Sequence, residues 1–386
     1  MNSKIPFNKP YLTGKEISYI AQAHQNGFLA GDGPFTSRCQ EWLCKSLETQ
    51  NALLTHSCTA ALELCSLLIN LKAGDEVIMP SFTFVSTANA FVLRGATPVF
   101  IDIRPDTLNI DENLIEEAIT ARTKAIVVVH YAGVSCEMDA ILSIAAKYSL
   151  YVIEDAAHGI YSRYKDRPLG SIGNLGTLSF HETKNIISGE GGALLVNDNN
   201  FITPAEIYRQ KGTDRSKFVR GEVSKYTWQD LGSSFLPSEI TASFLYAQLE
   251  SAKSITDARL AIWNYYHNGL NKLEIQGVIR RPIIPKECLH NGHMYYILLP
   301  DTINRSEIIS FLTEKKIDTV FHYIPLDSSP GGVRFGKVVG ELNNTQRIAR
   351  QILRLPFWIG ITKAEQDRVI NALEEGIKRQ LLNINM

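Results

Sequence analysis

Ser179-Phe180-His181-Glu182-Thr183-Lys184-Asn185 is followed closely by Gly189-Glu190-Gly191-Gly192. The apolar run 176–180 reads as a strand end that empties into a polar segment with one lysine and then a glycine cluster. Glycine supplies the backbone conformations a tight loop needs. An amine held in such a loop at a strand's end is well placed to bond covalently to a carbonyl cofactor. Taken alone, Lys184 reads as a solvated surface charge, the usual state of lysine.

A second segment upstream changes that reading. Leu150-Tyr151-Val152-Ile153 has the apolar texture of a strand and ends abruptly in Glu154-Asp155-Ala156-Ala157-His158-Gly159. A buried strand that ends in an acid is costly unless the acid meets a cation. Pyridoxal phosphate supplies one, a pyridinium nitrogen that a carboxylate keeps protonated so that the ring can act as an electron sink. Asp155 and Lys184, each at the carboxyl end of a strand, can meet across one such cofactor. The alternative is an N-cap aspartate, because Asp155-Ala156-Ala157-His158 could also open a helix.

The chain has 386 residues. That is more than one core usually holds, so one large and one small domain are expected. Net charge is −1, with acids and bases interspersed. No basic stripe points to nucleic acid, and no polybasic segment points to a membrane surface. The N-terminal Met1-Asn2-Ser3-Lys4-Ile5-Pro6-Phe7-Asn8 has no apolar signal core, and no apolar run is long enough to span a bilayer. Cys39, Cys44, Cys58, Cys65, Cys136 and Cys288 form no Cys-x-x-Cys pair. This argues against a zinc site, with no metal expected, and for reduced thiols in a cytoplasmic protein.

Strand-like segments at 51–55, 76–80, 98–103, 124–130, 150–155, 176–180 and 193–197 alternate with helix-like ones. The helices are expected at 14–25, 36–47, 58–71, 85–93, 111–121, 137–148, 203–211 and 237–258. Such alternation predicts an α/β fold with a large, mostly parallel sheet covered on both faces. After a long helical stretch at 240–273 come strand-like segments at 277–282, 292–299 and 319–323. Helices at 305–314, 345–353 and 363–379 complete a smaller α/β unit. The expected division is a large cofactor-binding domain over 1–250 and a small C-terminal domain over 251–386.

Two strand-to-helix turns are candidates for a phosphate and a ring. Thr55-His56-Ser57-Cys58-Thr59-Ala60-Ala61 offers backbone N–H groups and hydroxyls at a helix start, an anion site that needs no lysine. An ordinary Ser/Thr cap explains it as well. Pro80-Ser81-Phe82-Thr83-Phe84-Val85-Ser86-Thr87 carries two aromatics, one of which could stack on a pyridine ring, whereas core packing is phenylalanine's usual fate.

These stretches together resemble the nucleotide-sugar aminotransferases of the DegT/StrS family, nearly end to end. The likeness runs through Gly31-Asp32-Gly33-Pro34, Ser57-Cys58-Thr59-Ala60-Ala61-Leu62, Gly74-Asp75-Glu76-Val77, Pro80–Phe84, Glu154–His158, Ser179–Asn185 and Gly189–Gly192. It implies the type I aminotransferase fold, pyridoxal 5′-phosphate and a homodimer with active sites at the subunit interface. Within the family, Ala88–Gly95, Lys225–Trp228, Gly232–Phe235 and Val320–Leu326 are most similar to the branch that makes dTDP-4-amino-4,6-dideoxygalactose for enterobacterial common antigen.

The resemblance implies roles at matching positions. Lys184 would bond to the cofactor and carry protons, and Asp155 would hold the pyridinium nitrogen. Phe84 would stack on the ring, and His158, where many relatives have glutamine, would sit near the ring's phenolic oxygen. Thr59, the backbone of Ala60 and Ser179 would hold the phosphate. Many relatives reach into the neighbouring subunit's site with a Gly-x-Asn-x-Arg stretch; here Ser234 replaces the asparagine and Leu236 the arginine, so no guanidinium contact is carried over. Arg215, Lys217 and Arg220 could meet a nucleotide diphosphate or form a solvated basic loop. His322 and Tyr323 could face the sugar or pack as a pair. The branch carries a histidine where this chain has Asp327.

The implied reaction moves an amino group from L-glutamate to C4 of dTDP-4-dehydro-6-deoxy-D-glucose by ping-pong kinetics. The alternative is transfer to another nucleotide-linked ketosugar. A related dehydratase branch has histidine in place of the lysine, which Lys184 opposes. A non-catalytic cofactor-binding regulator is opposed by the complete Lys184–Asp155 pair. A nicotinamide site is opposed because Gly189-Glu190-Gly191-Gly192 precedes a strand and lacks the Gly-x-Gly-x-x-Gly spacing.

Overall fold

A computed structural model of the chain describes residues 3–384. Its main sheet contains seven strands, of which the first five are separated by helices and the last two follow through turns: β1 (Asn51–Thr55), β2 (Glu76–Pro80), β3 (Thr97–Ile101), β4 (Thr123–Val129), β5 (Tyr151–Asp155), β6 (Leu175–Ser179) and β7 (Gly192–Val196). They lie in the order β1-β7-β6-β5-β4-β2-β3, and the short strand Lys337–Val338 joins β3 at the far edge. The pairs among β2, β3, β4, β5 and β6 are parallel, while β7 runs antiparallel to both β6 and β1.

Successive strand residues point to opposite faces, and here both faces are covered. Ile78, Ile126, Val128 and Val152 belong to one core, together with Phe35 and Leu43. Their neighbours Val77, Val127 and Ile153 belong to the other, with Leu64 and Phe100. Burial on both faces is why the strands read as apolar runs such as Ile126-Val127-Val128-Val129 and not as alternation.

Past the sheet, the helix Glu239–Glu250 ends at Ser251 and a new one, Ala252–Gly269, begins. A third core gathers Trp263, Tyr266, Tyr295, Ile297, Leu312, Leu353 and Leu373, and it also takes Ile5 from the chain's start. A fourth, with Phe82, Tyr131, Met294, Tyr296 and Ile352, joins the exits of the main strands to the C-terminal segments.

Several expected elements differ. Segments 277–282 and 319–323 are not strands; each contributes one bridge, Arg280 to Leu298 and Val320 to Arg354. Pro282 removes a ladder donor from the first. Tyr296–Leu298 does form a strand, antiparallel to Ile352–Arg354. The helix expected at 111–121 is a short turn, Glu112–Leu114, followed by Ile115–Ala118; β-branched Ile119 and Thr120 favour its early end. No helix among the described residues is long and apolar enough to cross a membrane.

Candidate active site

A cavity of about 440 Å³ opens where β4, β5 and β6 end, and their last residues, Val129, Asp155 and Ser179, line it. Carboxyl ends of strands are where open α/β sheets bind ligands. The strand pleat divides the acids at the end of β5. Glu154 faces away, fully buried, and accepts from the N–H groups of Gly170 (2.8 Å), Ile172 (2.6 Å) and Gly173 (2.6 Å) and pairs with His130 Nε2 (2.8 Å). Asp155 faces the cavity. Thr87 Oγ1 donates to its Oδ2 (2.7 Å), Thr83 Oγ1 lies 2.8 Å from Thr87 Oγ1, and Ala157 N–H donates to Oδ1 (3.2 Å). No helix follows Asp155, only turns, so it caps none.

Lys184 reaches the same cavity from a loop that closes on itself. Phe180 N–H donates to Gly191 O (2.9 Å), Glu182 N–H to Gly189 O (2.9 Å) and Lys184 N–H to His181 O (2.9 Å). Gly189 has φ of +80°, a conformation glycine adopts without strain. Burial pushes the Lys184 ammonium below its ordinary pKa, while Cys58 and Asp155 nearby act the other way. The amine is thereby easier to deprotonate and more nucleophilic near neutral pH.

At the start of the helix Cys58–Leu68, Ser57 Oγ accepts the N–H of Ala60 (3.1 Å), so Ala60 spends on the cap the donor expected for a phosphate. Thr59 lines the cavity, and its hydroxyl meets Ser86 Oγ (2.8 Å), which ties the two strand-to-helix turns together. β7 lies so close to this helix start that a Cβ on Gly192 would sit 2.4 Å from Ser57 C and 2.5 Å from Cys58 N. The two aromatics of the second turn divide: Phe82 is buried, 5.3 Å from Tyr131 and 5.5 Å from Tyr323, whereas Phe84 is 58 % exposed at the cavity.

Three histidines share one wall. His158 stacks on His293 at 4.1 Å, and Tyr131 Oη lies 2.9 Å from His322 Nδ1. Burial pushes all three well below the ordinary histidine value. His158 Nδ1 accepts the Ala132 N–H (3.3 Å), leaving Nε2 as its N–H donor. Asn185 joins this wall to the lysine loop, bonding His293 Nδ1 (2.8 Å) and Asn291 O (3.0 Å).

The structure thus brings Lys184, Asp155, His158, Thr59, Phe84, Ser179, His322 and Tyr323 to one cavity. Five other expected residues lie outside its lining, Ala60 among them. Arg220 is exposed and paired with Glu206 (2.8 Å) and Glu222 (2.6 Å). Arg215 and Lys217 are on the short helix Arg215–Val219, and Ser234 is an exposed residue bridged to Gln210. Sequence reading missed Thr87, His293, Arg259 and Arg354. Thr87 lay within a quoted turn, but the other three come from the C-terminal segments with no motif around them.

The profile of the DegT/DnrJ/EryC1/StrS aminotransferase family matches residues 10–374. The chain belongs to that family. Across 98 % of both chains it is 33 % identical to the spore coat polysaccharide biosynthesis protein SpsC of Bacillus subtilis. Among solved structures, the putative sugar aminotransferase Spr1654 of Streptococcus pneumoniae in its PMP form superposes with a TM-score of 0.91, at 25 % identity and full coverage of both chains. DesI, solved in the presence of its TDP-sugar product, gives a TM-score of 0.89 at 26 % identity, covering 100 % of this chain and 96 % of its own.

The fold is therefore the type I aminotransferase fold, and the cofactor of this family member is pyridoxal 5′-phosphate. The cavity fits that group chemically. It holds an acid for a ring nitrogen, an amine for an aldehyde, an exposed aromatic face, and a helix start with a hydroxyl for a phosphate.

Proposed function

We propose that this aminotransferase moves the amino group of L-glutamate to C4 of dTDP-4-dehydro-6-deoxy-D-glucose, giving the 4-amino-4,6-dideoxy-D-galactose nucleotide for cell-surface polysaccharide. The observation that carries the reading is the convergence of Lys184, Asp155, His158 and Phe84 on one cavity at the strand ends. SpsC's role in spore coat polysaccharide and the TDP-sugar product of DesI support a nucleotide-sugar acceptor.

In this reading Lys184 Nζ bonds the cofactor, and Asp155, oriented by Thr87, holds a proton on its ring nitrogen. Bound pyridoxal phosphate supplies the electron sink for the charge left when a proton leaves the nitrogen-bearing carbon. Lys184 Nζ would take that proton from the donor Cα and, in the second half-reaction, would deliver one to sugar C4. Phe84 would lie against the ring, and His158, with its N–H on Nε2, would donate toward the ring oxygen. Thr59, Ser179 and the helix start hold the phosphate.

Asp327 sits where the branch has histidine, but its carboxylate is already occupied, bonding Ser81 Oγ and accepting from Gln346 Nε2 (2.9 Å). It acts as a latch between β2's exit and the C-terminal segments, and the branch's histidine has no counterpart at this position. The segment carrying Arg215, Lys217 and Ser234 also exposes Phe218, Val219, Tyr226, Trp228 and Leu231. Exposed apolar residues of this kind suit a subunit interface. We therefore assign a homodimer in which this segment approaches the partner's site.

The test converts the protein to its amine form with L-glutamate, removes the glutamate and adds dTDP-4-dehydro-6-deoxy-D-glucose. The expected result is return of the aldehyde-form absorbance and a galacto-configured C4 amine. A gluco product overturns the named product, and no return overturns the acceptor.

A further inference from the structure

The segment 5–11 is tied to the C-terminal segments and crosses to the cavity. Ile5 N–H donates to Lys316 O (2.9 Å), and Ile5 O accepts from Asp318 N–H (3.0 Å). Phe7 O accepts from Phe357 N–H (3.0 Å), and Tyr11 O accepts from Gln248 Nε2 (2.9 Å). The Phe7 ring centroid lies 4.8 Å from the Arg354 guanidinium, and Lys9 Nζ lies 5.0 Å from the Trp358 ring centroid. Pro6 and Pro10 narrow the backbone freedom of what lies between them. The segment is thus a strap held at both ends, and its middle residues Phe7 and Asn8 line the same cavity as Lys184 and Asp155. Each serine and threonine of that lining is already bonded to a neighbour. Ser57 caps a helix, Thr59 meets Ser86, Thr83 meets Thr87, Thr183 meets His181, and Ser179 accepts the His181 N–H. The Asn8 amide has two N–H donors and a carbonyl acceptor. None of the three is bonded to another of the described residues, so the strap carries a free amide to the cavity.

We propose that Asn8 is a specificity-determining residue that hydrogen-bonds the ring hydroxyls of the acceptor sugar. The chemistry of the two substrates chooses between them. A sugar hydroxyl both donates and accepts, and so does an amide. The carboxylates of an amino-acid donor only accept, and they pair best with cations. The deoxysugar ring is uncharged, so a neutral group can bind it without leaving a charge unpaired. Pockets take their specificity from a few well-placed polar groups of this kind, and the anchored strap fixes the place of this one. The assignment rests on the aminotransferase reading above and names a residue that recognises its acceptor.

The test is calorimetric binding to the pyridoxal phosphate-loaded protein, using dTDP-6-deoxy-D-glucose and dTDP. The first keeps the ring hydroxyls and lacks the ketone, so it binds without reacting; the second lacks the sugar. Asn8→Ala should weaken binding of dTDP-6-deoxy-D-glucose by about 3- to 10-fold, the range for one or two neutral hydrogen bonds, and change that of dTDP less than about twofold. Asn8→Ser keeps one donor and one acceptor and should fall between the wild type and Asn8→Ala. Unchanged sugar-nucleotide binding in Asn8→Ala, or equal loss for both ligands, overturns the proposal and leaves the aminotransferase reading standing. No binding of either ligand to the wild type overturns the nucleotide-sugar acceptor and the role of Asn8 with it. Selective loss in Asn8→Ala supports the proposal even where the wild type fails to aminate dTDP-4-dehydro-6-deoxy-D-glucose, a failure that would count only against the named acceptor.

Discussion

Lys184 and Asp155 sit at the ends of one requirement, an amine for an aldehyde and a carboxylate for a ring nitrogen. Lys184→Ala should lose both the covalent attachment of the cofactor and all measurable transamination, read from the absorbance spectrum and from product assay. Asp155→Asn keeps the hydrogen bond from Thr87 but removes the charge. Removing one preorganised electrostatic partner of the reacting system costs about 100-fold in rate or more, so turnover should fall at least ~100-fold with the fold intact. A near-normal rate would reduce Asp155 to a structural acid. Both residues stood out in the sequence because Asp155 ends an apolar strand and Lys184 lies in the polar, glycine-closed loop just after another. The pleat decides what the letters Glu154-Asp155 alone do not: which acid faces the cavity and which one knits the 170–173 loop. His293 and Arg354 were not legible, since their meaning comes from a cavity assembled by segments far apart in the chain.

Two contacts between elements hold helix starts in place. The helix Pro34–Leu47 begins at Gly33, which has no side chain to cap it. Glu239, from another helix, fills that role by accepting the N–H groups of Gly33 (3.1 Å), Phe35 (2.8 Å) and Thr36 (2.9 Å). Glu239→Ala should cost about 2–3 kcal/mol in urea unfolding, the scale for charged hydrogen bonds lost with buried donors left unpaired. Gly192→Ala presses a methyl group into the backbone of Ser57 and Cys58. It should destabilise by about 1–3 kcal/mol and weaken cofactor binding together, because overpacking displaces the helix start that faces the phosphate. Strand and helix order was readable from apolar runs and caps. The reversed direction of β7 was not, because a strand buried on both faces reads the same whichever way its neighbours run. Lys337–Val338 was too short to carry a period.

Across the molecule, the main sheet and the C-terminal segments meet at a wall of neutral histidines. Burial holds His158, His293 and His322 below their ordinary pKa, so the native protein binds fewer protons than the unfolded chain, whose histidines titrate near about 6.5. Their contribution to stability is therefore full above about pH 6.5 and is lost as pH falls toward the depressed native values. The slope is up to about 1.4 kcal/mol per pH unit for each histidine. Urea midpoints should drop from pH 7 to pH 5, and His293→Gln should flatten that acid limb; an equally steep limb would place the proton uptake elsewhere. Length and texture lead to the expectation of a large and a small unit. The traffic between the parts, with Ile5 in the C-terminal core and Lys337–Val338 on the main sheet, depends on pairings that local sequence does not encode. The most direct test of the whole account is to reduce the pyridoxal phosphate-loaded protein with borohydride and map the modified peptide by mass spectrometry. The account predicts a phosphopyridoxyl group on Lys184 and no other lysine; stoichiometric label elsewhere, or none in a protein that transaminates, would contradict it.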